Sequence, residues 1–356
     1  MNTRKVCWVC LVLLLLSTAA HAKIIFGSER NGVEGIYIMD DDGSNQTRLI
    51  EGGSLTPWSW SPDGQQILFS RIIGETFKEN GVWQVIRGSV LFLMNPDGTN
   101  IRQLTENDDS YIGRASFSPD GKFIVYDRLW EENDKEKDIV EVLNIKTGKR
   151  KVILDRSVTS CDWSPDGKHI LFAEPTQPGK SSTIWIMGAD GHNPRELILN
   201  PGPQRDKFHI YRERPRWSPD GQQVVFVEVE SKWELVPGVV NALIFKAYRY
   251  MIYDRANGNI SKLSIPRDWV CYGIDWMDDG KSVVFTARAG MPMDKPRPPD
   301  FVFPHCYVYK YHLKTRKITQ LTNDHGWDQI IDWISDDVLS VSPQDKKKVT
   351  WGAIKQ

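Results

Sequence analysis

Three histidines, His209, His305 and His325, are the side chains of this sequence best suited to metal chemistry. Imidazole nitrogens are common ligands of divalent metals. The separations between the three match no local metal-site motif, so they can share a metal only if the fold brings them together. The sequence therefore leaves a divalent cation as an open alternative, and otherwise we expect no cofactor.

Acidic residues recur at one place beside aromatic residues. Asp162, Asp275 and Asp332 each precede a tryptophan, and Arg216 stands at the equivalent position before another. These carboxylates could converge and hold a cation. We favour a simpler interpretation, in which each accepts hydrogen bonds from nearby backbone N–H groups, because buried carboxylates need such partners.

Motifs of enzymes are missing from the sequence. It contains no Gly-x-Ser-x-Gly elbow, no Walker loop and no Gly-x-Gly-x-x-Gly after a strand. We assign no catalytic residue, and the preferred interpretation is a protein without enzymatic activity.

The elements that must position these side chains come from a repeat. Trp-Ser-Pro-Asp-Gly or a variant of it begins six times, at Trp60, Phe117, Trp163, Trp217, Trp276 and Trp333. Proline presets φ for a turn, aspartate bonds the turn backbone, glycine takes the positive φ, and the aromatic residue can fill a wedge between sheets. We therefore assign structural roles to Trp60, Pro62, Asp63, Gly64, Asp120, Trp163, Asp166, Trp217, Asp220, Trp276 and Trp333.

Short runs rich in Val, Ile and Phe follow the first five motifs, and no helical periodicity competes with them. Each repeat predicts four antiparallel strands, which must stack radially to bury both faces. Residues 23–356 are thus predicted to be one all-β domain, a six-bladed β-propeller of four-stranded antiparallel blades. The Trp333 segment would supply the inner strand that residues 24–50 lack. Strand-like residues at 338–341 and 349–354 leave seven blades as the alternative.

The repeat, together with Ile-Tyr-Ile-Met and Asp-Gly-Ser-Asn segments such as those at Ile36 and Asp42, resembles the propeller repeat of the periplasmic TolB family. The resemblance covers nearly all of residues 24–356. It implies a six-bladed propeller in an envelope or secreted protein that binds other proteins. TolB carries an α/β domain before its propeller, whereas these repeats begin directly after a predicted signal peptide at residues 1–22, so we do not transfer its Tol–Pal role or any partner-contacting residue.

The connection lengths distinguish the two rims of the predicted ring. Turns between first and second strands, and between third and fourth, are short; we call this side the tight-turn rim. We expect the long connections to be loops: four join second to third strands, at 71–89, 127–138, 228–249 and 287–306, and one joins two blades, at 198–214. We call this side the long-connection rim, and repeat proteins place such insertions on their binding face.

Aromatic residues and arginines, which dominate binding hot spots, are frequent on the long-connection rim. Several of these side chains could equally pack beneath their own loops. The candidate binding residues are Trp83, Tyr111, Arg114, Arg128, Trp130, Tyr211, Arg212, Arg214, Trp233, Arg288 and Trp327, and the three histidines fall on the same rim.

Residues 1–22 have the features of a signal peptide. Arg4 and Lys5 precede an apolar run, and Ala20 and Ala22 stand where a signal peptidase reads small residues. The apolar run is too short for a transmembrane helix. Cleavage near Ala22 would make the protein periplasmic or secreted, without a transmembrane anchor in the mature chain.

The charge composition argues against nucleic acid as a partner. The 45 basic and 46 acidic residues nearly balance, which gives no electrostatic case for binding nucleic acid.

Beyond the predicted signal peptide, the three cysteines Cys161, Cys271 and Cys306 are too few to stabilise the fold by a set of disulfide bonds. A Cys271–Cys306 disulfide is possible, and free buried thiols are favoured.

Together these patterns predict an exported, non-catalytic and monomeric binding scaffold, which engages a protein or a glycan through the long-connection rim. One alternative is a metal-dependent propeller lyase acting on acidic polysaccharide, with the three histidines as ligands. Another is a structural module of a cell-surface assembly. Fold alone does not choose among them, because propellers host many functions.

Overall fold

A computed structural model shows six four-stranded antiparallel sheets arranged in a ring, which confirms the predicted six-bladed β-propeller. The structure describes residues 22–79, 82–132, 135–174, 181–199, 208–236, 239–277, 280–296, 301–324 and 326–340. Within these ranges no helix has both the length and the hydropathy needed to cross a membrane.

The first three blades follow the chain in order. Blade 1 takes three strands from the N-terminal part: β1 (Lys23–Arg30), β2 (Val33–Asp40) and β3 (Thr47–Glu51). Blade 2 consists of β4 (Leu55–Trp60), β5 (Ile67–Glu79), β6 (Val82–Met94) and β7 (Arg102–Gln103). Blade 3 consists of β8 (Tyr111–Phe117), β9 (Phe123–Glu132), β10 (Lys135–Asn144) and β11 (Arg150–Asp155).

The second half of the chain forms the other three blades and returns to the first. Blade 4 consists of β12 (Thr159–Trp163), β13 (His169–Ala173), β14 (Ile184–Gly188) and β15 (Arg195–Ile198). Blade 5 consists of β16 (His209–Trp217), β17 (Gln223–Val236), β18 (Val239–Asp254) and β19 (Ile260–Lys262). Blade 6 consists of β20 (Val270–Met277), β21 (Ser282–Arg288), β22 (Cys306–His312) and β23 (Ile318–Gln320), and the chain ends its propeller with β24 (Gln329–Ile334).

Strand β24 closes the ring as predicted. It pairs antiparallel with β1, with Trp333 opposite Ile24, and so becomes the inner strand of blade 1. The prediction of a strand at 338–341 is wrong for the described residues 338–340, because they belong to a short helix, α1 (Asp336–Ser340). One helical turn lets Val338 and Leu339 pack on the core cluster that contains Trp60.

The repeated turns hold the tight-turn rim by hydrogen bonds. In blade 3, the Asp120 carboxylate accepts from the Ser118 hydroxyl at 2.7 Å and from the Lys122 N–H at 3.1 Å. Gly121 takes a φ of +68°, which a side chain would strain. The same bonds recur in blades 4 and 5, at Asp166 and Asp220.

The anchor aromatics pack between blades, although to different depths. Trp60, Trp217 and Trp276 are buried, whereas Trp163 and Trp333 are only partly so. The indole of Trp276 donates to the carbonyl of Arg216 in the neighbouring blade, at 3.1 Å. Cys161, Cys271 and Cys306 are buried free thiols, so the possible Cys271–Cys306 disulfide is absent among the described residues.

Candidate binding rim

Most of the long connections are β-ribbons rather than loops, which corrects the expectation from length alone. Strands β5 and β6 stay paired as far as Glu79 and Val82, well beyond the partner strand β4. Strands β9–β10 and β17–β18 extend in the same way. After β21, the described residues 289–296 and 301–305 form no strand. Three two-stranded ribbons therefore belong to the long-connection rim, together with these residues and the connections between blades.

Exposed apolar side chains concentrate on the long-connection rim. Val302 is 85% exposed and Trp233 52%, and Tyr111 and Leu129 form an exposed cross-strand pair at the end of blade 3. Most of the large hydrophobic side chains left exposed among the described residues lie here: Ile72, Tyr111, Leu129, Leu199, Trp233, Val302, Phe303 and Trp327. Apolar exposure of this kind marks interaction surfaces when it is contiguous.

The sequence analysis missed the aliphatic members of this set. Leu129, Leu199 and Val302 carry no motif, and the prediction considered only aromatic residues and arginines. The available signal was an aliphatic side chain in a connection, where solvent exposure is expected. Only the fold shows that these residues share a rim with Tyr111 and Trp233.

Several candidates are exposed or border a cavity on this rim. Tyr111, Trp233 and Trp327 are exposed, and Arg288 lies at the end of β21. Trp130 lies on the β9 ribbon beneath Arg128, whose guanidinium is 5.0 Å from the indole centroid. Arg128 also pairs with Asp108 at 2.8 Å and Glu141 at 3.4 Å, so its charge is already compensated. Trp83 belongs to the β6 ribbon, but its side chain lies outside the described part of the structure.

Tyr211 and Arg212 do not lie on a loop, contrary to the expectation for 198–214. They belong to β16, which starts at His209, and both are buried. Tyr211 packs in a core cluster, and the Arg212 guanidinium bonds the Glu228 carboxylate at 3.2 Å. Arg214, in the same strand, has a φ of +56° and pairs with its neighbour Glu213. Strand β16 therefore includes residues that the prediction assigned to a loop.

Arg114 also departs from the predicted position, because it is buried in the central channel. Its guanidinium lies 3.8 Å from the Asp275 carboxylate, which belongs to the opposite blade of the ring. Inner strands carry a register shift in every blade, which re-aims side chains near the anchor aromatic. Arg114 therefore belongs to an internal charge network and not to the exposed surface.

That network surrounds the axis of the ring. Burial raises the pKa of Asp162 to about 6, and the nearby Arg216 opposes the shift. Burial and the adjacent Asp275 carboxyl raise the pKa of Asp332 well above its ordinary value. Burial and repulsion from Arg216 lower the pKa of Arg114 to about 10. These two arginines and three carboxyl groups therefore lie where little water reaches them. Asp332 and Asp162 accept hydrogen bonds from backbone N–H groups, which agrees with the favoured interpretation of the aspartates as hydrogen-bond acceptors.

A cavity of about 310 Å³ opens on the long-connection rim between blades 6 and 1. We call it the Arg288 pocket, lined by Glu29, Asn31, Arg288, Phe303, His305 and Trp327. Its volume is at the lower end for ligand sites in proteins. The pocket unites predicted candidates from separate parts of the sequence, Arg288, Trp327 and His305.

The three histidines are not shown to converge. His305 lines the Arg288 pocket, His209 begins β16 in blade 5, and His325 lies outside the described residues. Within the described ranges, no group of three His, Cys, Asp or Glu side chains is arranged to hold a metal ion. The histidine metal site remains a prediction.

Known proteins with similar sequences and structures support the β-propeller fold. No family model matches the chain. The Tol-Pal system protein TolB of Francisella tularensis is 28% identical over 223 residues, which cover 61% of this chain and 46% of that protein. TolB from Acinetobacter baumannii superposes with a TM-score of 0.63 and 15% identity, over 88% of this chain and 67% of that one. The chain is a TolB-like β-propeller.

The TolB-like propeller also resembles solved structures with other names. An oligogalacturonate lyase in complex with manganese superposes with a TM-score of 0.52 and 16% identity, over 84% of this chain and 73% of that one. At such identities the likeness concerns the fold alone. The chain spans about half the length of the curated TolB relatives that it matches.

Proposed function

We propose that this TolB-like propeller is an exported, non-catalytic scaffold that binds a protein partner through its long-connection rim. The observation that carries the proposal is the concentration of exposed apolar side chains on that rim. Tight turns and their hydrogen bonds occupy the opposite rim. Burial of such side chains on association is favourable in proportion to their apolar area.

The shape of the rim supports the proposal. The β17–β18 ribbon projects beyond the inner strand β16 and presents Trp233, and Leu129 lies opposite Tyr111 at the end of blade 3. Side chains held in this way lose little conformational entropy when a partner binds. The curated relatives are named as proteins of the Tol-Pal system, which is consistent with a role in protein assemblies of the envelope. We place the mature protein in the periplasm or outside the cell, after removal of residues 1–22.

The test compares apolar residues on the two rims. The purified mature protein is used to retain a partner from envelope extract, the partner is purified, and its affinity is measured for single variants. Leu129→Ser, Trp233→Ser and Val302→Ser are the rim variants. Ile101→Ser is the matched control, because Ile101 is equally apolar and exposed but lies on the tight-turn rim.

We expect at least one rim variant to weaken binding about tenfold, since a buried hot-spot side chain contributes more than about 1 kcal/mol. Ile101→Ser should bind within about twofold of the wild type. Equal affinities for all four variants would show that the partner binds elsewhere.

A metal-dependent lyase is the second candidate, favoured by one observation. His305, one of the predicted ligands, lines a cavity beside Arg288, and Arg288 is a side chain suited to an acidic sugar. Elemental analysis of dialysed protein distinguishes this candidate. One equivalent of manganese or zinc that is lost in His305→Ala would favour the lyase, whereas the scaffold proposal expects no stoichiometric metal.

A further inference from the structure

Arg288 carries a charge that no described residue compensates. Its guanidinium carbon lies 4.9 Å from the Phe303 centroid, 5.1 Å from that of Trp327 and 5.3 Å from that of Tyr272. No carboxylate of the described residues pairs with it, and its Nε is buried without a hydrogen-bond partner. Arg128 offers the contrast, since it stacks on Trp130 but is paired with two carboxylates.

The aromatic residue at the mouth of the pocket is held in place from both sides. The backbone N–H of Trp327 donates to the carbonyl of Glu29 in blade 1, and the backbone N–H of Asp328 donates to the carbonyl of Cys306 in blade 6. The buried Asp328 carboxylate accepts from the Ser28 hydroxyl at 2.6 Å. Trp327 nevertheless remains 41% exposed. A large side chain that is both fixed and exposed is preorganised for contact.

We propose that the Arg288 pocket is a subsite for a carboxylate, presented by an acidic side chain in an extended peptide segment of the partner. This inference rests on the proposed protein-binding function and names the chemistry that the rim recognises. A stacked guanidinium keeps its in-plane N–H groups available, and their fork matches the two oxygens of a carboxylate. Glu29 is the acidic residue of the lining, and its side chain is exposed, where water screens its charge.

The surroundings favour a peptide over a glycan. Val302 and Phe303 are exposed beside the pocket, and an aliphatic side chain such as valine offers no hydrogen bond to sugar hydroxyls. A peptide instead supplies apolar side chains next to its acidic residue, and these can cover Val302 and Phe303. The expected sequence is therefore an acidic residue with apolar neighbours.

The experiment uses two blocked peptides, acetyl-Leu-Glu-Leu-amide and acetyl-Leu-Gln-Leu-amide, titrated into the full mature protein. Binding is followed by NMR at the indole N–H of Trp327, which is assigned with the Trp327→Phe variant. Arg288→Gln removes the charge, and Arg288→Lys keeps the charge without the fork. Arg267→Gln is the matched control, because Arg267 lies on the same rim but is paired with Asp294 at 2.8 Å.

We expect the glutamate peptide to shift the Trp327 signal saturably and to bind at least tenfold more tightly than the glutamine peptide. Arg288→Gln should lose this preference while its other indole signals stay unchanged, Arg288→Lys should retain part of it, and Arg267→Gln should bind within twofold of the wild type. Equal binding of the two peptides, unchanged binding by Arg288→Gln, or tighter binding of a galacturonate trisaccharide would overturn the inference. If that happens while Trp233→Ser or Val302→Ser still weakens the partner, the subsite is wrong and the binding rim stands.

Discussion

The carboxylate of Asp332 accepts a hydrogen bond from the backbone N–H of Trp60, with 2.6 Å between the two atoms. Asp162 makes the equivalent bond to the N–H of Trp217, at 2.9 Å. In each pair the aspartate comes from the inner strand of one blade and the tryptophan from the inner strand of the next. Because Asp332 lies on β24, the strand that closes the ring, its bond also ties the end of the chain to blade 2.

Asp332→Ala should therefore lower the free energy of unfolding by about 1–3 kcal/mol, because it leaves the buried N–H of Trp60 without an acceptor. Asp332→Asn retains an acceptor oxygen and should lose much less. Urea denaturation at pH 7 measures both variants. Equal stability of Asp332→Ala and wild type would mean that this bond does not hold the blades together.

The pH dependence of stability should reveal Asp127. Burial raises the pKa of Asp127 from 3.8 to about 7. The folded state thus binds this proton more tightly, so the stabilising contribution is complete below pH 4 and is lost as pH rises through 7. Asp127→Asn stays neutral. Its stability relative to wild type should rise from near zero at pH 4 to about 2–4 kcal/mol at pH 8.

Urea denaturation across this pH range provides the measurement for Asp127. Asp109→Asn is the control, since Asp109 is exposed, and its difference from wild type should not change with pH. A flat difference for Asp127→Asn would show that folding does not raise the pKa of this carboxyl group.

The anchor tryptophans should differ in their contributions. Trp217 is buried between blades, so Trp217→Ala should cost about 3–5 kcal/mol of unfolding free energy. Trp163 is only partly buried, and Trp163→Ala should cost about half as much. Calorimetry of both variants checks the order. A loss below about 1 kcal/mol at Trp217 would contradict its role as the filler between blades.

The fold was largely predictable, because the residue types within each repeat specify its turn and its inner strand. Proline, aspartate and glycine specify the turn, and the aromatic residue marks the inner strand, so Trp333 revealed how β24 closes the ring. The C-terminal segment was not predictable in the same way. Val338 has a high strand propensity, but one helical turn packs it, partly buried, against the core near Trp60.

The candidate site was only partly predictable. Connection lengths identified the rim, and the preference for arginine and tryptophan found Arg288 and Trp327. Tyr211 and Arg212 misled because connection length does not show where a strand starts, and β16 extends through both residues. The meeting of Arg288 with Trp327 depends on ring closure, which brings the final blade against the first.

The position of Trp327 can be tested through its neighbour Gly326. A Cβ at residue 326 would lie 2.4 Å from the carbonyl oxygen of Glu29, so Gly326→Ala must displace the backbone. We expect binding of the acidic peptide to weaken about tenfold, because recognition depends on the fixed indole, with a stability loss of about 1–2 kcal/mol. Gly53→Ala is the control, because a Cβ at residue 53 would meet only the end of the Glu34 side chain, whereas Gly148, with a φ of +69°, would be strained by any side chain. Unchanged peptide affinity in Gly326→Ala would contradict the preorganised role of Trp327.

Photo-crosslinking inside cells tests the central claim most directly, because it reports which rim touches a partner even when that partner has not been identified. A photoreactive phenylalanine analogue is placed at Trp233 or Val302 on the long-connection rim, and at Gln65 or Ile101 on the tight-turn rim; all four residues are exposed. The proposed binding rim predicts a discrete protein adduct from the first two positions and none from the other two. Adducts from Gln65 and Ile101, with none from Trp233 and Val302, would contradict it.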